Sequence, residues 1–211
     1  DGCPTGARHM VGEARSPQSV FEEVISDLEY YKASGGGITI SGGEPFGQVG
    51  FVEEFLRLCK EAGIDTAIET NLSYPFSSIE RVLPYLDHIF YDLKIMNDTE
   101  HKKYVGVSNK SVLDNSMKLD QTGVPYIVRT PLIPSVTDTE DNLKAIIHWL
   151  KDLRHLRAWE ILNYNVLAKA KYEPLRQKYQ LPNAQPLSLE RINEIKKLAA
   201  ANGISSIFNP K

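Results

Sequence analysis

The chain has 211 residues, of which 42% are hydrophobic and 24% are charged, and its formal net charge is −3. These values are those of an ordinary globular chain that buries a core, so a single domain is the first expectation. A weakly acidic chain predicts no nucleic-acid surface, and no apolar run has membrane-spanning length. The two cysteines, Cys3 and Cys59, indicate no disulfide framework and favour a reducing, cytoplasmic setting.

The first predicted element is a helix over residues 17–33, with Ser16 as its N-cap and Pro17 at its first position. Strand and helix signals then alternate about five times along the chain. Strands are predicted at 38–40, 66–70, 88–94, 125–129, 159–162 and 204–208. Further helices are predicted at 49–62, 77–86, 109–122 and 188–201, and another is capped by Asp138 with an inner face from Leu143 to Leu150.

Repeated βα units of this kind indicate an α/β fold with a parallel sheet and helices outside it. The strands read as apolar on both faces, as the strands of buried parallel sheets do. A barrel and a doubly wound sheet both fit this pattern, and periodicity does not choose between them.

Polar residues cluster where the predicted strands end, and in parallel α/β folds active sites gather at those ends. The cluster consists of Gly42, Gly43, Glu44, Glu69, Thr70, Asn71, Asp92, Lys94, Arg129, Asn163 and Asn165. Charges of both signs at strand ends are not needed for packing. They predict a zwitterionic small ligand that carries a carboxylate, an ammonium group and hydroxyls.

The segment Gly35–Pro45, with the sequence GGGITISGGEP, resembles the S-adenosylmethionine-binding strand of radical S-adenosylmethionine (radical SAM) proteins. Later segments match the same group of proteins in order. Together with Gly35–Pro45 they make the chain most similar to the glycyl-radical-enzyme activating enzymes, which include pyruvate formate-lyase activating enzyme. The later segments are Ile68–Asn71, Tyr91–Lys94, Asn97–His101, Val105–Asn109, Arg129 before Pro131, Ile161–Asn165 and Lys171–Tyr172.

The resemblance implies a partial parallel (β/α) barrel of the radical SAM type that lacks its first strand. Residues 16–211 are then the S-adenosylmethionine-binding domain, and residues 1–15 are the tail of a ferredoxin-like insert. Cys3, which precedes Pro4, would be a ligand of an accessory iron–sulfur cluster in that insert.

The chain departs from the family in one respect, because it contains no Cys-x-x-x-Cys-x-x-Cys run for the catalytic [4Fe–4S] cluster. Cys59 lies on a predicted helix with Phe51 and Phe55 and is interpreted as a buried apolar residue. We expect the first strand, the cluster loop and most of the insert to lie upstream of Asp1, and we expect the isolated chain to be inactive and to bind S-adenosylmethionine weakly at most.

For the complete protein, the resemblance implies reductive cleavage of S-adenosylmethionine at a [4Fe–4S] cluster. The resulting 5′-deoxyadenosyl radical would take a hydrogen atom from a backbone glycine of a partner glycyl radical enzyme. A flavodoxin- or ferredoxin-type protein would supply the electron. In this scheme the cofactors carry the difficult chemistry, and the protein supplies position and electrostatics.

The same resemblance assigns cofactor contacts to individual residues. Arg129 would pair with the ligand carboxylate, although an Arg129–Glu69 ion pair is the structural alternative. Asp92 and Lys94 would act as catalytic residues, with a structural ion pair as their alternative. The full set of implied cofactor contacts is Gly42, Gly43, Glu44, Asp92, Leu93, Lys94, Arg129 and Asn165.

Two further sites follow from the resemblance. Glu69, Thr70 and Asp92 would hold a monovalent cation, although family members often have Asp at the position of Glu69. Residues near the partner's glycine loop would be Asp98, His101, Gly106 and Asn109.

Three alternative interpretations stay open. A different radical SAM enzyme would act on a small molecule, and the segment 98–109 argues against it. A cluster-less module would bind S-adenosylmethionine or a nucleotide and dock a partner. A metal-free hydrolase or isomerase would need a nucleophile–base pair, and no such pair is evident in the sequence.

Overall fold

The computed structural model describes residues 12–167, 172, 176, 178–179, 181 and 183–208. The strands are β1 (Gly37–Ile40), β2 (Asp65–Thr70), β3 (His88–Asp92), β4 (Tyr126–Leu132), β5 (Leu156–Asn163) and β6 (Ser206–Phe208). The helices are α1 (Pro17–Val24), α2 (Leu28–Ser34), α3 (Val49–Glu61), α4 (Phe76–Val82), α5 (Asp98–Val105), α6 (Lys110–Gln121), α7 (Glu140–Leu150) and α8 (Leu189–Ala201). Within these ranges no helix combines the length and the apolar character needed to cross a bilayer.

The ends of the helices follow local sequence signals, with one correction. Ser16 caps α1 by accepting a hydrogen bond from the amide of Ser19. Asp138, the predicted cap of α7, is not its N-cap. Thr139 holds that position and accepts from the amide of Asn142, because the carboxylate of Asp138 accepts instead from the amide of Ser135 at 2.6 Å.

Helix α5 was not among the predicted helices. Its sequence is polar on nearly every side, so it shows no apolar stripe of helical period. It forms because Asn97 caps its first turn and Gly106 ends it in a left-handed conformation, with φ of 91°.

The six strands form one parallel sheet in the order β1-β2-β3-β4-β5-β6. A doubly wound sheet would reverse its strand order at a switch point, and this sheet does not. Sequential parallel strands joined by right-handed crossovers place their helices on one side, as in a (β/α) barrel. The described part of the chain is therefore a partial barrel, with no strand beside the outer edge of β1 within those residues.

The two faces of the sheet differ in chemistry. The face toward the helices is apolar and carries Ile68, Tyr91, Val128 and Trp159, each fully buried against the helices. Strand residues alternate between faces, so the residues between these point to the opposite side, called here the inner face. The inner face includes the charged residues Glu69, Asp92, Arg129 and Glu160. The expectation that the strands are apolar on both faces is therefore wrong for the inner face, which surrounds the candidate site.

Candidate functional site

The loop after β1 leaves an open surface beside two glycines. Gly42 has a φ of 122°, a conformation that disfavours any residue with a side chain. A Cβ atom built on Gly42 or Gly43 would meet no other atom within 4 Å. A ligand can therefore approach the backbone closely at these two predicted contact residues.

Glu44 ties the loop after β1 to the loop after β2. Its Oε1 accepts a hydrogen bond of 2.7 Å from the hydroxyl of Thr70, and its Oε2 accepts one of 2.8 Å from the amide of Asn71. The carboxylate thus has internal donors where the sequence analysis expected the methionine end of a ligand. Glu44 positions two of the loops that border the site.

The loop after β2 contains a strained residue. Leu72 has a φ of 56°, which is uncommon for a residue with a side chain, and it is fully buried. The side-chain amide of Asn115 holds this conformation by donating to the carbonyl oxygens of Leu72 and Tyr74, at 2.9 and 2.7 Å. Strain of this kind persists only where neighbouring groups enforce it, and it is frequent beside functional sites.

At the end of β3, Asp92 and Lys94 form an ion pair with a distance of 2.8 Å between Oδ2 and Nζ. Both side chains are about one-third exposed, so the pair remains accessible from the inner face. Leu93 lies between them and faces the helices, with its side chain 1% exposed. Its amide donates to the carbonyl oxygen of Arg129, so the structure does not bring the predicted contact residue Leu93 to the inner face.

Arg129 on β4 is the central cation of the inner face. Its Nη1 contacts Oε1 of Glu69 on β2, and its Nε donates to Oε2 of Glu160 on β5, each at 2.6 Å. The guanidinium also lies 4.4 Å from the ring centre of Phe90, on the strand between. Burial alone would lower the pKa of Arg129, but the hydrogen bonds to the two glutamates outweigh it and raise that pKa.

The Arg129–Glu69 ion pair, expected as the structural alternative, is present in the structure. Glu160 was missed by the sequence analysis, although it is only 8% exposed and binds Arg129 directly. A signal was available, because Glu160 is a single charged residue within the apolar run Trp159–Leu162. A lone charge in a buried strand requires a partner.

The predicted cation ligands Glu69, Thr70 and Asp92 do not converge as a ligand set. Glu69 contacts Arg129 and accepts from the hydroxyl of Ser41 at 2.9 Å, while Thr70 donates to Glu44. Asp92 pairs with Lys94. Among the described residues of the chain, no group of three His, Cys, Asp or Glu side chains could hold a metal ion.

Asn165, the predicted ribose contact, follows β5. Its Oδ1 accepts a hydrogen bond of 2.9 Å from the amide of Leu167, which fixes the local turn. The neighbouring Asn163 is a structural residue, because its side chain bonds to both the amide and the carbonyl oxygen of Leu187.

The predicted partner-contact residues form a hydrogen-bonded scaffold around α5. The carboxylate of Asp98 interacts with Lys102 and accepts from Ser108 and from the amide of Asn109, which lowers the pKa of Asp98 to about 2. Asn109, at 4% exposed, donates to two backbone carbonyl oxygens of the loop after β3.

The ring of His101 is buried and bonds through Nδ1 to the carbonyl oxygen of Val107 at 2.7 Å. The segment presents to solvent the apolar side chains of Tyr104, Val105 and Val107, together with the polar side chains of Thr99, Lys102 and Lys103. Asp98, His101 and Asn109 thus hold the loop in shape, and the outer surface of the segment combines apolar side chains with two lysines.

The residues of this chain do not fit a [4Fe–4S] cluster. Cys3 lies outside the described residues, and Cys59 is fully buried in α3, where burial raises the pKa of its thiol to about 11. A buried thiol of high pKa is a poor source of the thiolate that binds iron. The charged groups and open glycine backbone of the inner face do fit a polar ligand such as S-adenosylmethionine.

Comparison with known proteins agrees with this geometry. The family model of the radical SAM superfamily matches residues 3–150. The chain is 35% identical over 209 residues to the indoleacetate decarboxylase activating enzyme of Tractidigestivibacter scatoligenes, and this match covers 98% of the chain and 65% of that relative. It is 30% identical over 199 residues to the pyruvate formate-lyase 1-activating enzyme of Escherichia coli K12, and this match covers 93% of the chain and 81% of that relative.

The structure is similar to a domain of the pyruvate formate-lyase-activating enzyme from Bacteroides vulgatus, with a TM-score of 0.70 and 26% identity. That likeness covers 83% of this chain and 99% of the solved domain. The chain spans 65% and 58% of the length of two of its curated activating-enzyme relatives. It belongs to the radical SAM superfamily, within the group of glycyl-radical-enzyme activating enzymes.

Proposed function

We propose that the protein of which this chain forms the S-adenosylmethionine-binding part activates a partner glycyl radical enzyme. The observation that carries the proposal is the convergence of charged groups from β2, β3, β4 and β5 on the inner face, in a chain of this family. In the complete protein, a [4Fe–4S] cluster and S-adenosylmethionine would supply the electron and the organic radical for hydrogen-atom removal from the partner's glycine.

The residues of this chain bind and orient the ligand. Gly42 and Gly43 present open backbone to its methionine end, and Arg129 offers a forked cation to its carboxylate. Glu44 acts mainly by holding the loops after β1 and β2 together, which fixes the glycine backbone against the strand ends.

Asp92 and Lys94 are proposed to touch the ligand from the inner face. Nζ of Lys94 lies 2.8 Å from Oδ2 of Asp92, so the ion pair orients both charges before a ligand binds. A pre-oriented pair loses little entropy on binding, which is how a protein positions reacting groups. Asn165 is proposed to contact the ribose, where it can donate and accept but cannot titrate.

The remaining assignments belong to the same proposal. Residues 98–109 face the partner, and a flavodoxin- or ferredoxin-type protein is the reductant, in the cytoplasm. Cys3 is proposed as a ligand of an accessory cluster, in the tail of a ferredoxin-like insert over residues 1–15. The monovalent cation at Glu69, Thr70 and Asp92 stays a sequence prediction and is not part of this proposal, because each of these residues contacts another residue of the chain.

The test uses the full-length gene product, reconstituted anaerobically with iron and sulfide. We expect it to release 5′-deoxyadenosine from S-adenosylmethionine and to produce the doublet electron paramagnetic resonance signal of a glycyl radical on its partner. The 211-residue chain, which has no Cys-x-x-x-Cys-x-x-Cys run, is the matched control and is expected to do neither. Reductive cleavage by this chain alone would contradict the proposal.

Two other results would favour the alternatives. Cleavage of S-adenosylmethionine without a radical on any glycyl radical enzyme, and with transfer of label to a small molecule, would favour a different radical SAM enzyme. A full-length product that binds S-adenosylmethionine but has no cluster cysteines and no cleavage activity would favour the cluster-less binding module.

A further inference from the structure

One guanidinium on the inner face is shared by two carboxylates that differ in burial. The side chain of Glu160 is 10% exposed, that of Arg129 is 18% exposed and that of Glu69 is 36% exposed. The two contacts have the same length of 2.6 Å. Burial and the nitrogen atom that each contacts, rather than the contact distance, therefore distinguish the two partners of Arg129.

The burial of Glu160 makes its contact with Arg129 the more permanent one. Separating a buried ion pair leaves a charge without its partner in a poorly solvated place, which is strongly unfavourable. The Nε atom also lies near the stem of the arginine, so its bond to Glu160 fixes the direction of the whole guanidinium. The ring of Phe90, whose centre lies 4.4 Å from the guanidinium, limits the movement of that group on one side.

The contact with Glu69 is more easily exchanged. Separating Glu69 from Arg129 costs less, because water can reach the partly exposed carboxylate of Glu69 and Arg129 keeps Glu160 as its partner. Glu69 also accepts a hydrogen bond from Ser41 at 2.9 Å, so its carboxylate keeps a donor when it leaves Arg129. A carboxylate that enters from the inner face can therefore take its place at the guanidinium.

We propose that Glu160 is a positioning residue that aims Arg129, and that Glu69 is an internal competitor that yields Arg129 to the carboxylate of the bound ligand. The proposal rests on the proposed function, which brings an α-amino-acid carboxylate to Arg129. It adds that the two glutamates act in opposite directions on ligand affinity. Glu160 strengthens carboxylate binding, and Glu69 weakens it.

The test compares Glu160→Gln and Glu69→Gln in the 211-residue chain, by nuclear magnetic resonance titration with S-adenosylmethionine. Loss of a charge-assisted hydrogen bond in Glu160→Gln should weaken binding about tenfold. Removing the exposed competitor in Glu69→Gln should tighten binding about two- to fivefold. Glu53→Gln, which removes a carboxylate from the ion pair with Arg81 between α3 and α4, should change nothing.

Decarboxylated S-adenosylmethionine is the second probe, because it lacks the group that Arg129 is proposed to bind. Neither glutamate variant should alter its affinity. If Glu160 positions Arg129 and Glu69 competes for it, the two variants change affinity only for a ligand that carries the carboxylate. A residue that merely maintains the fold would weaken both ligands alike.

Several results would overturn the proposal. These are weaker binding of S-adenosylmethionine by Glu69→Gln, equal effects on both ligands, or no carboxylate-dependent binding by the unmodified chain. If Glu160→Gln fails to fold, the sign of the Glu69→Gln effect decides alone, since Glu69 is only partly buried. The titration requires neither cluster nor partner, so its outcome is independent of whether the full-length protein forms a glycyl radical.

Discussion

The two faces of the sheet show how one set of strands serves two purposes. Ile161 faces the helices and is fully buried, while the adjacent Glu160 faces the other side and binds Arg129. The helical face supplies apolar burial, which is the main source of stability. The inner face carries charges that burial alone would disfavour, and it forms the candidate site. Stability and chemistry are thus separated by the alternation of residues along each strand.

The largest expected change in stability tests the difference between the two faces within strand β5. Ile161→Ala removes buried apolar volume and should lower the free energy of unfolding by about 2–5 kcal/mol. Leu162→Ala changes the next residue, which is only half-buried on the inner face, and should cost about 1 kcal/mol or less. Urea unfolding followed by circular dichroism measures both. Equal losses would contradict the assignment of the two faces.

A smaller loss of stability is expected at the loop after β2, where the two faces of the sheet meet. Asn115→Ala removes two donors to the strained loop after β2 and should lower the free energy of unfolding by about 1–3 kcal/mol. The same change at Asn202, which is partly exposed and donates only to Leu198 at the end of α8, should cost less. Amide exchange should become faster at Leu72 and Ser73 in the Asn115 variant alone. Unchanged exchange there would mean that Asn115 does not hold the loop.

For the pair Asp92 and Lys94 the expected change in stability is smaller still. The double variant Asp92→Asn with Lys94→Ala should change the free energy of unfolding by about 1 kcal/mol or less, because the pair is partly exposed. In the full-length protein the same variant should lose cleavage of S-adenosylmethionine. Lys144→Ala, which breaks an exposed pair with Glu140 on α7, should leave both properties unchanged. Intact cleavage in the double variant would remove these residues from the site.

The smallest effect is a local response to acid. The pKa of Asp98 lies at about 2 in the folded chain, below its ordinary value. The charged carboxylate of Asp98 therefore contributes its full share of folding stability above the ordinary pKa of aspartate. That share is lost as the pH falls toward 2. The amide resonance of Asn109, which donates to Asp98, should shift in that range, and Asp98→Asn should abolish the shift. A shift at the ordinary pKa of aspartate would contradict the proposed contacts.

Much of the fold could be predicted because the signals were local. The βα alternation and the N-cap Ser16 depend on neighbours in sequence, and the structure confirms them. Periodicity does not show which strands pair, but the partial barrel that the family resemblance implied is confirmed by the sequential strand order. Helix α5 was missed because a polar helix held by its caps has no hydrophobic period.

The candidate site was predicted in its composition more than in its contacts. Arg129, Asp92 and Lys94 lie on the inner face as expected, and the pairing of Arg129 with Glu69 was foreseen as an alternative. The role of Glu44 as a tie between loops was not foreseen, because its donors are 26 and 27 residues away. Contacts at such separations depend on how neighbouring strands end, and a single sequence does not contain that information.

The sequential order of the strands has a consequence for how the chain folds. Each strand pairs only with the strands before and after it in the chain, so the sheet needs no pairing between distant segments. Such an order keeps contacts relatively local for a parallel sheet, which favours faster folding. During synthesis, each strand is therefore expected to add to the edge formed by its predecessor, with the three-residue β6 added after β5.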